Sequence, residues 1–142
     1  ERDLALLKFT EDIDITMPDH ILGLPEEVPI GNSVACLGFP FGFYGIYNQL
    51  IKQAVICSKI ISGNETRIFL FDAMVHDGNR GGPLINLYDG RIIGVVGGRF
   101  EPQELMPKHL KRAEAPIRTD VSYAVSVDHA AALIKQEGLT VV

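Results

Sequence analysis

The chain has no tryptophan, only two cysteines, and no surplus of positive charge. Its 13 Lys and Arg stand against 18 Asp and Glu, a net charge of −5, which argues against a sequence-independent nucleic-acid surface. No apolar run is long enough to cross a bilayer as a helix, so no membrane partner is expected. Cys36 and Cys57 are too few for a disulfide framework, and both lie in apolar runs, which predicts buried free thiols. Asp12, Asp14 and Asp19 lack the turn glycine and the closing glutamate of a calcium loop, so no metal site is assigned and the segment reads as an acidic linker. The glycine cluster is followed by Pro83-Leu84-Ile85 rather than by Lys-Ser/Thr and a helix, which excludes a phosphate-cradling loop; no cofactor is expected. The chain opens on Glu1-Arg2-Asp3-Leu4, with neither a signal peptide nor an initiator methionine, and reads as a fragment or a processed chain.

What is present is an ordinary globular balance. The composition is 46% hydrophobic and 22% charged over 142 residues, enough for one domain with a sizeable core. Short apolar and β-branched runs recur at close spacing: Leu4–Phe9, Val34–Leu37, Gln49–Gly63 with a break near Cys57-Ser58, Ile68–Phe71, Leu84–Leu87, Ile92–Val96 and Val121–Val127. Asp89-Gly90 between two of these runs is a hairpin signal, because a tight turn needs a positive φ that glycine supplies. Asp128 as N-cap, Ala130–Gln136 and Gly138 spell one short closing helix. The pattern predicts an all-β, mostly antiparallel barrel or sandwich. The segments 11–29 and 100–120 are proline-punctuated and polar, and read as loops.

The most informative stretch is 72–98, centred on Gly78-Asn79-Arg80-Gly81-Gly82-Pro83-Leu84. A turn so rich in glycine exposes backbone N–H groups, and clustered N–H groups can hold an oxyanion. This heptapeptide resembles the Gly-Asn-Ser-Gly-Gly-Pro-Leu motif of trypsin-like serine proteases, in particular the HtrA-like branch. Two further segments agree in family order: Asp3-Leu4-Ala5-Leu6-Leu7, and a strand leading into Gly38-Phe39-Pro40-Phe41-Gly42.

The resemblance implies the C-terminal antiparallel β-barrel of a two-barrel fold plus a short C-terminal helix. It assigns residues 1–29 to a remnant strand of the first barrel and the inter-barrel linker, and 30–142 to the second barrel. It assigns Asp3 to the triad carboxylate, the N–H groups of Gly78 and residue 80 to the oxyanion hole, Met74 to the base of an apolar specificity pocket, and Gly97, Gly98 and Arg99 to pairing with substrate backbone. Position 80 is the nucleophile, and there the chain departs from the family: Arg80 replaces serine. A guanidinium stays protonated and has no oxygen with which to attack. The general base would be a histidine preceding Asp3, whereas His20, His76, His109 and His129 all follow it; the position of His76 matches a pocket wall.

Two readings follow. One is a serine endopeptidase domain that is inactive as written; the other is a pseudoprotease that binds a protein or peptide. Arg80 above the amide donors would favour a carboxylate or phosphate ligand, and without an intervening histidine Arg80 is expected to pair with Asp3. The expected partners are a protein or peptide ligand and a first barrel or another subunit, the latter covering a large apolar patch.

Overall fold

The computed structural model describes residues 3–9, 18, 20–102 and 119–139. Six strands form a closed antiparallel barrel: β1 (Ser33–Gly38), β2 (Leu50–Ile61), β3 (Arg67–Phe71), β4 (Pro83–Asn86), β5 (Ile92–Arg99) and β6 (Ser122–Ser126), followed by helix α1 (Val127–Gln136). Their order around the barrel is β1-β2-β3-β6-β5-β4, and β1 closes the ring on β4 through pairs such as Ala35↔Ile85. Closure removes the unpaired edges that an open sheet of this length would present.

Side-chain alternation follows from the pleat. Along β2, Ala54 and Ile56 point into the barrel while Ile51, Val55 and Ile61 face out. The interior is filled by Val34, Cys36, Ile56, Phe69, Phe71, Leu84, Ile93, Val96 and Ala124. Phe71 and Ile93 are fully buried, and each contributes on the order of 1.5–3 kcal/mol of burial free energy.

The break expected near Cys57-Ser58 is a β-bulge, not an interruption. Ile56 pairs with Phe71 and Ser58 with Leu70, so Cys57 is the extra residue and β2 continues across it. Alternation along β2 puts Cys57 on the outer face next to the inward Ile56, so of the two thiols expected inside only Cys36 is buried. The hairpin at Asp89-Gly90 forms as expected, with Gly90 at φ +73° and its N–H donating to the Asn86 carbonyl (2.9 Å).

Two further expectations are corrected. Leu4–Phe9 is not a strand: it has no pairing partner among the described residues, and Leu7 and Phe9 are exposed. A β-type pattern without a neighbour to take its N–H and C=O groups does not make a strand. The helix begins at Val127 with Ser126 at the N-cap position, and Asp128 lies in its first turn. The Asp128 carboxylate is used in an ion pair with Arg67 of β3, where the positive end of the helix also favours it. The expected loop 100–120 lies for the most part outside the described residues, as do Asp12, Asp14, Asp19 and His109. No helix among the described residues is long and apolar enough to cross a membrane, and no group of His, Cys, Asp or Glu there could hold a metal.

Phe71→Ala is expected to destabilise the domain by about 3–5 kcal/mol, through lost burial and a residual cavity, as read from the midpoint of urea unfolding. The two thiols should also separate on titration with an aromatic disulfide. Burial pushes both above the ordinary thiol range, so Cys57 reacts in the native state more slowly than free cysteine, and Cys36 reacts only on unfolding.

Candidate active site

The glycine turn is held against the end of β1 by backbone alone. Phe39 N–H donates to the Gly78 carbonyl (2.9 Å), and a Cβ on Gly78 would run into the Phe39 carbonyl. A Cβ on Gly82 would meet the Leu37 carbonyl, and one on Gly38 would lie 2.5 Å from the Gly78 carbonyl oxygen. Glycine at these positions is therefore a packing requirement. On its other side the turn joins β5: Gly81 N–H donates to the Val96 carbonyl and Val96 N–H to the Gly82 carbonyl, both at 2.8 Å.

Within the turn, Asp77–Asn79 form a short 3-10 segment. Asn79 is buried; its N–H donates to the His76 carbonyl (2.8 Å) and its Oδ1 accepts from the His76 N–H (3.1 Å). The N–H of Arg80 donates to the Asp77 carbonyl at 3.2 Å. One of the two N–H groups assigned to an oxyanion hole is thus engaged inside the turn, while the Gly78 N–H shows no such internal bond.

The segment before the turn forms one wall of the site. Ser122 of β6 donates its hydroxyl to the Ala73 carbonyl (2.5 Å) and accepts from the Val75 N–H (3.2 Å). Lys52 reaches the Met74 carbonyl at 2.6 Å, and Asp72 accepts from the Val55 N–H at 2.6 Å. Residues 72–75 are pinned to β2 and β6 by these bonds.

Beside the turn opens a cleft of about 700 Å³. Its aromatic rim is Phe41, Phe43 and Tyr44, and its polar lining is His76, Asp77, Arg80, Arg99 and Glu101, with Gly98 on the floor. His76 lines this cleft, whereas Met74 is partly exposed and does not. Gly98 has φ +150°, and a Cβ there would lie 2.9 Å from Nη2 of Arg80, so the guanidinium rests directly on the strand. The nearest acidic partner of Arg80 is Asp77, at 4.0 Å from Nε. Both side chains are largely solvated, and such a pair is worth about 0–1 kcal/mol. The expected pairing of Arg80 with Asp3 is not found among the described residues: the turn brings Asp77, three residues back, to the guanidinium instead. Asp3 is exposed. The role of Asp77 escaped the sequence reading, although its i, i+3 spacing from Arg80 is a usable signal once the turn is known to be helical.

The rim continues into exposed apolar side chains: Phe39, Phe41, Phe43, Tyr44, Ile46 and Tyr47 are all at least 41% accessible. The loop expected near the mouth of the site is therefore surface, and its aromatics are unpacked.

Residues 1–95 match the family model of the trypsin-like peptidase domain. The chain is 31% identical over 101 residues to the magnetosome formation protease MamE of Magnetospirillum gryphiswaldense, covering 70% of this chain and 13% of that one. It is 32% identical over 100 residues to the serine protease HTR4 of Rattus norvegicus, covering 66% of this chain and 19% of the relative. The chain thus spans less than a fifth of either relative's length. Among solved structures, a variant of the HtrA-type protease AlgW with a tripeptide superposes with a TM-score of 0.62 at 19% identity, over 87% of this chain and 37% of that one. Rv3671c from M. tuberculosis H37Rv, a serine-to-alanine mutant in an inactive form, gives 0.59 at 23%, over 83% and 53%. At these identities the structural likeness bears on the fold.

Ser122→Ala should leave the Val75 N–H buried without its acceptor and cost about 1–3 kcal/mol. Chemical denaturation checks the magnitude, and faster amide exchange at Val75 checks the location.

Proposed function

The chain belongs to the trypsin-like peptidase domain family, in its HtrA-type branch, and on that premise we propose that it does not hydrolyse peptide bonds as written. The observation that carries this reading is Arg80 at the nucleophile position of Gly78-Asn79-Arg80-Gly81-Gly82. Acyl transfer needs an oxygen or sulfur nucleophile with a base beside it. The guanidinium offers neither, and it lies across Gly98, one of the residues that the resemblance assigns to substrate pairing. The closed N–H of Arg80 removes a second element, since an oxyanion needs donors that are free. On the family's two-barrel plan, residues 1–29 belong with the first barrel and the linker, and 30–142 with the second barrel. Asp3 keeps the place of the triad carboxylate, and Met74 that of the pocket base.

A second reading is favoured by the cleft itself. It is open, aromatic-rimmed and bordered by the end of β5, which pairs with β4 only as far as Pro83↔Val95. An exposed strand end of this kind accepts an extended peptide by adding a strand. Structures of the similar AlgW contain a tripeptide or a decapeptide. We read the domain accordingly as a silent protease scaffold that holds a protein or peptide segment along Gly97, Gly98 and Arg99.

A fluorophosphonate probe tests the first reading. The protein is expected to remain unlabelled and to leave a casein substrate intact; labelling of a serine in this chain, with hydrolysis lost in parallel, overturns it. Arg80→Ser should be run beside it. Labelling of that variant alone means that Arg80 by itself silences a complete machinery.

A further inference from the structure

Resting on the reading of the cleft as a peptide site, we propose that its occupant is an extended peptide segment carrying an acidic side chain, gripped between Arg80 and Arg99. The charged and titratable groups lining the cleft are His76, Asp77, Arg80, Arg99 and Glu101. Among the described residues, neither guanidinium is fully engaged by the protein. Arg80 has only the long, solvated contact to Asp77, at 4.0 Å. Arg99 makes one hydrogen bond, from Nε to the Val75 carbonyl at 3.4 Å, and no ion pair among the described residues. A guanidinium carries five N–H donors in a planar fork matched to a carboxylate, so most of the donor capacity of both side chains is available.

The two arginines come together through the backbone. Gly98 lacks a side chain and adopts φ +150°, which lets the Arg80 guanidinium settle on β5 in the cleft that Arg99 also lines. The Phe100 N–H donates to the Val121 carbonyl at 2.9 Å. By alternation along the strand, the N–H and C=O of Arg99 then point to the opposite edge, past the last pairing with β4. A peptide strand added at that edge hydrogen-bonds to Arg99 and runs on past it in both directions. It therefore presents side chains, not its terminus, to Arg80. Asp77 and Glu101 beside the arginines hold the local charge near balance, which suits one isolated carboxylate and disfavours a phosphate or a polyanion. The exposed rings of Phe43 and Tyr44 supply apolar contact for neighbouring residues of the same strand.

The test is fluorescence anisotropy of the protein with three labelled nonapeptides built on one β-prone sequence. The first has a central glutamate and an amidated C-terminus; the second is its glutamine twin; the third has no acidic side chain but a free C-terminal carboxylate. The glutamate peptide is expected to bind at least about tenfold more tightly than the glutamine twin, with the gap narrowing as salt is raised. Arg80→Ala and Arg99→Ala should each abolish most of that gap while circular dichroism stays native, since both side chains sit at the surface; Arg80→Lys should restore only part of it. Equal affinity for the glutamate and glutamine peptides overturns the acid preference but leaves the peptide site standing. A preference that survives both alanine variants overturns its placement at the arginines. Binding of the free-terminus peptide alone overturns the choice of a side-chain carboxylate. If no peptide binds, the peptide-cleft reading itself fails, and this proposal with it.

Discussion

Backbone packed on backbone, at Gly38, Gly78 and Gly82, is the constraint on which the site depends. The end of β1 and the 77–82 turn approach so closely that any Cβ at these positions meets a carbonyl or main-chain atom. That contact fixes the turn against Leu37 and Phe39, and two further hydrogen bonds fix it to Val96. A barrel with a larger residue at any of these positions would have to move β1 away from the turn, opening the junction that the closed ring relies on. The cleft exists because the turn cannot sit elsewhere: its floor is β5 and its wall is the segment that Ser122 and Lys52 hold in place.

On the proposed reading, the chain places on this scaffold a cation at the position that the resemblance assigns to a hydroxyl. On that reading the longer residue needs no repacking of the core, because the Arg80 side chain lies over Gly98 at the surface and is 62% accessible. The consequence is electrostatic. A serine hydroxyl is neutral and reacts only with help from its neighbours, whereas a guanidinium is charged throughout the physiological range and acts by attraction alone. The weak tie to Asp77 leaves it free to exchange one carboxylate for another. What was a reaction centre becomes, in this reading, a recognition centre built from the same turn and the same strand.

Much of the barrel was legible because its signals are local. Alternation along β2, the apolar run of β1 and the Asp89-Gly90 turn each depend on residues within a few positions of one another. The errors fell where a distant partner decides. Leu4–Phe9 has the composition of a strand but finds no neighbour among the described residues. Cys57 sits in an apolar run, yet the alternation of β2 places it on the outer face of the barrel. Asp128 has the chemistry of a helix cap, but Arg67 on β3 takes its carboxylate. Arg80 was expected at Asp3, and the 3-10 geometry of its own turn gave it Asp77. In each case the outcome depended on what packing in three dimensions brought, or failed to bring, to the residue.

By itself, the order of residues determined the family and the strand rhythm, and it put Arg80 inside the glycine motif. These are matters of covalent identity and short-range periodicity: the heptapeptide at 78–84 carries most of the family signal, and the runs from 34 to 127 carry the rhythm. The tertiary structure decided which groups meet. It closed β1 onto β4, used the Arg80 N–H inside the turn, laid the Arg80 guanidinium on Gly98 and put it in one cleft with Arg99, 19 positions along the chain. No periodicity encodes that last approach. It follows from the ring of hydrogen bonds that sets β5 against the turn, and from a strand residue without a side chain at the point of contact.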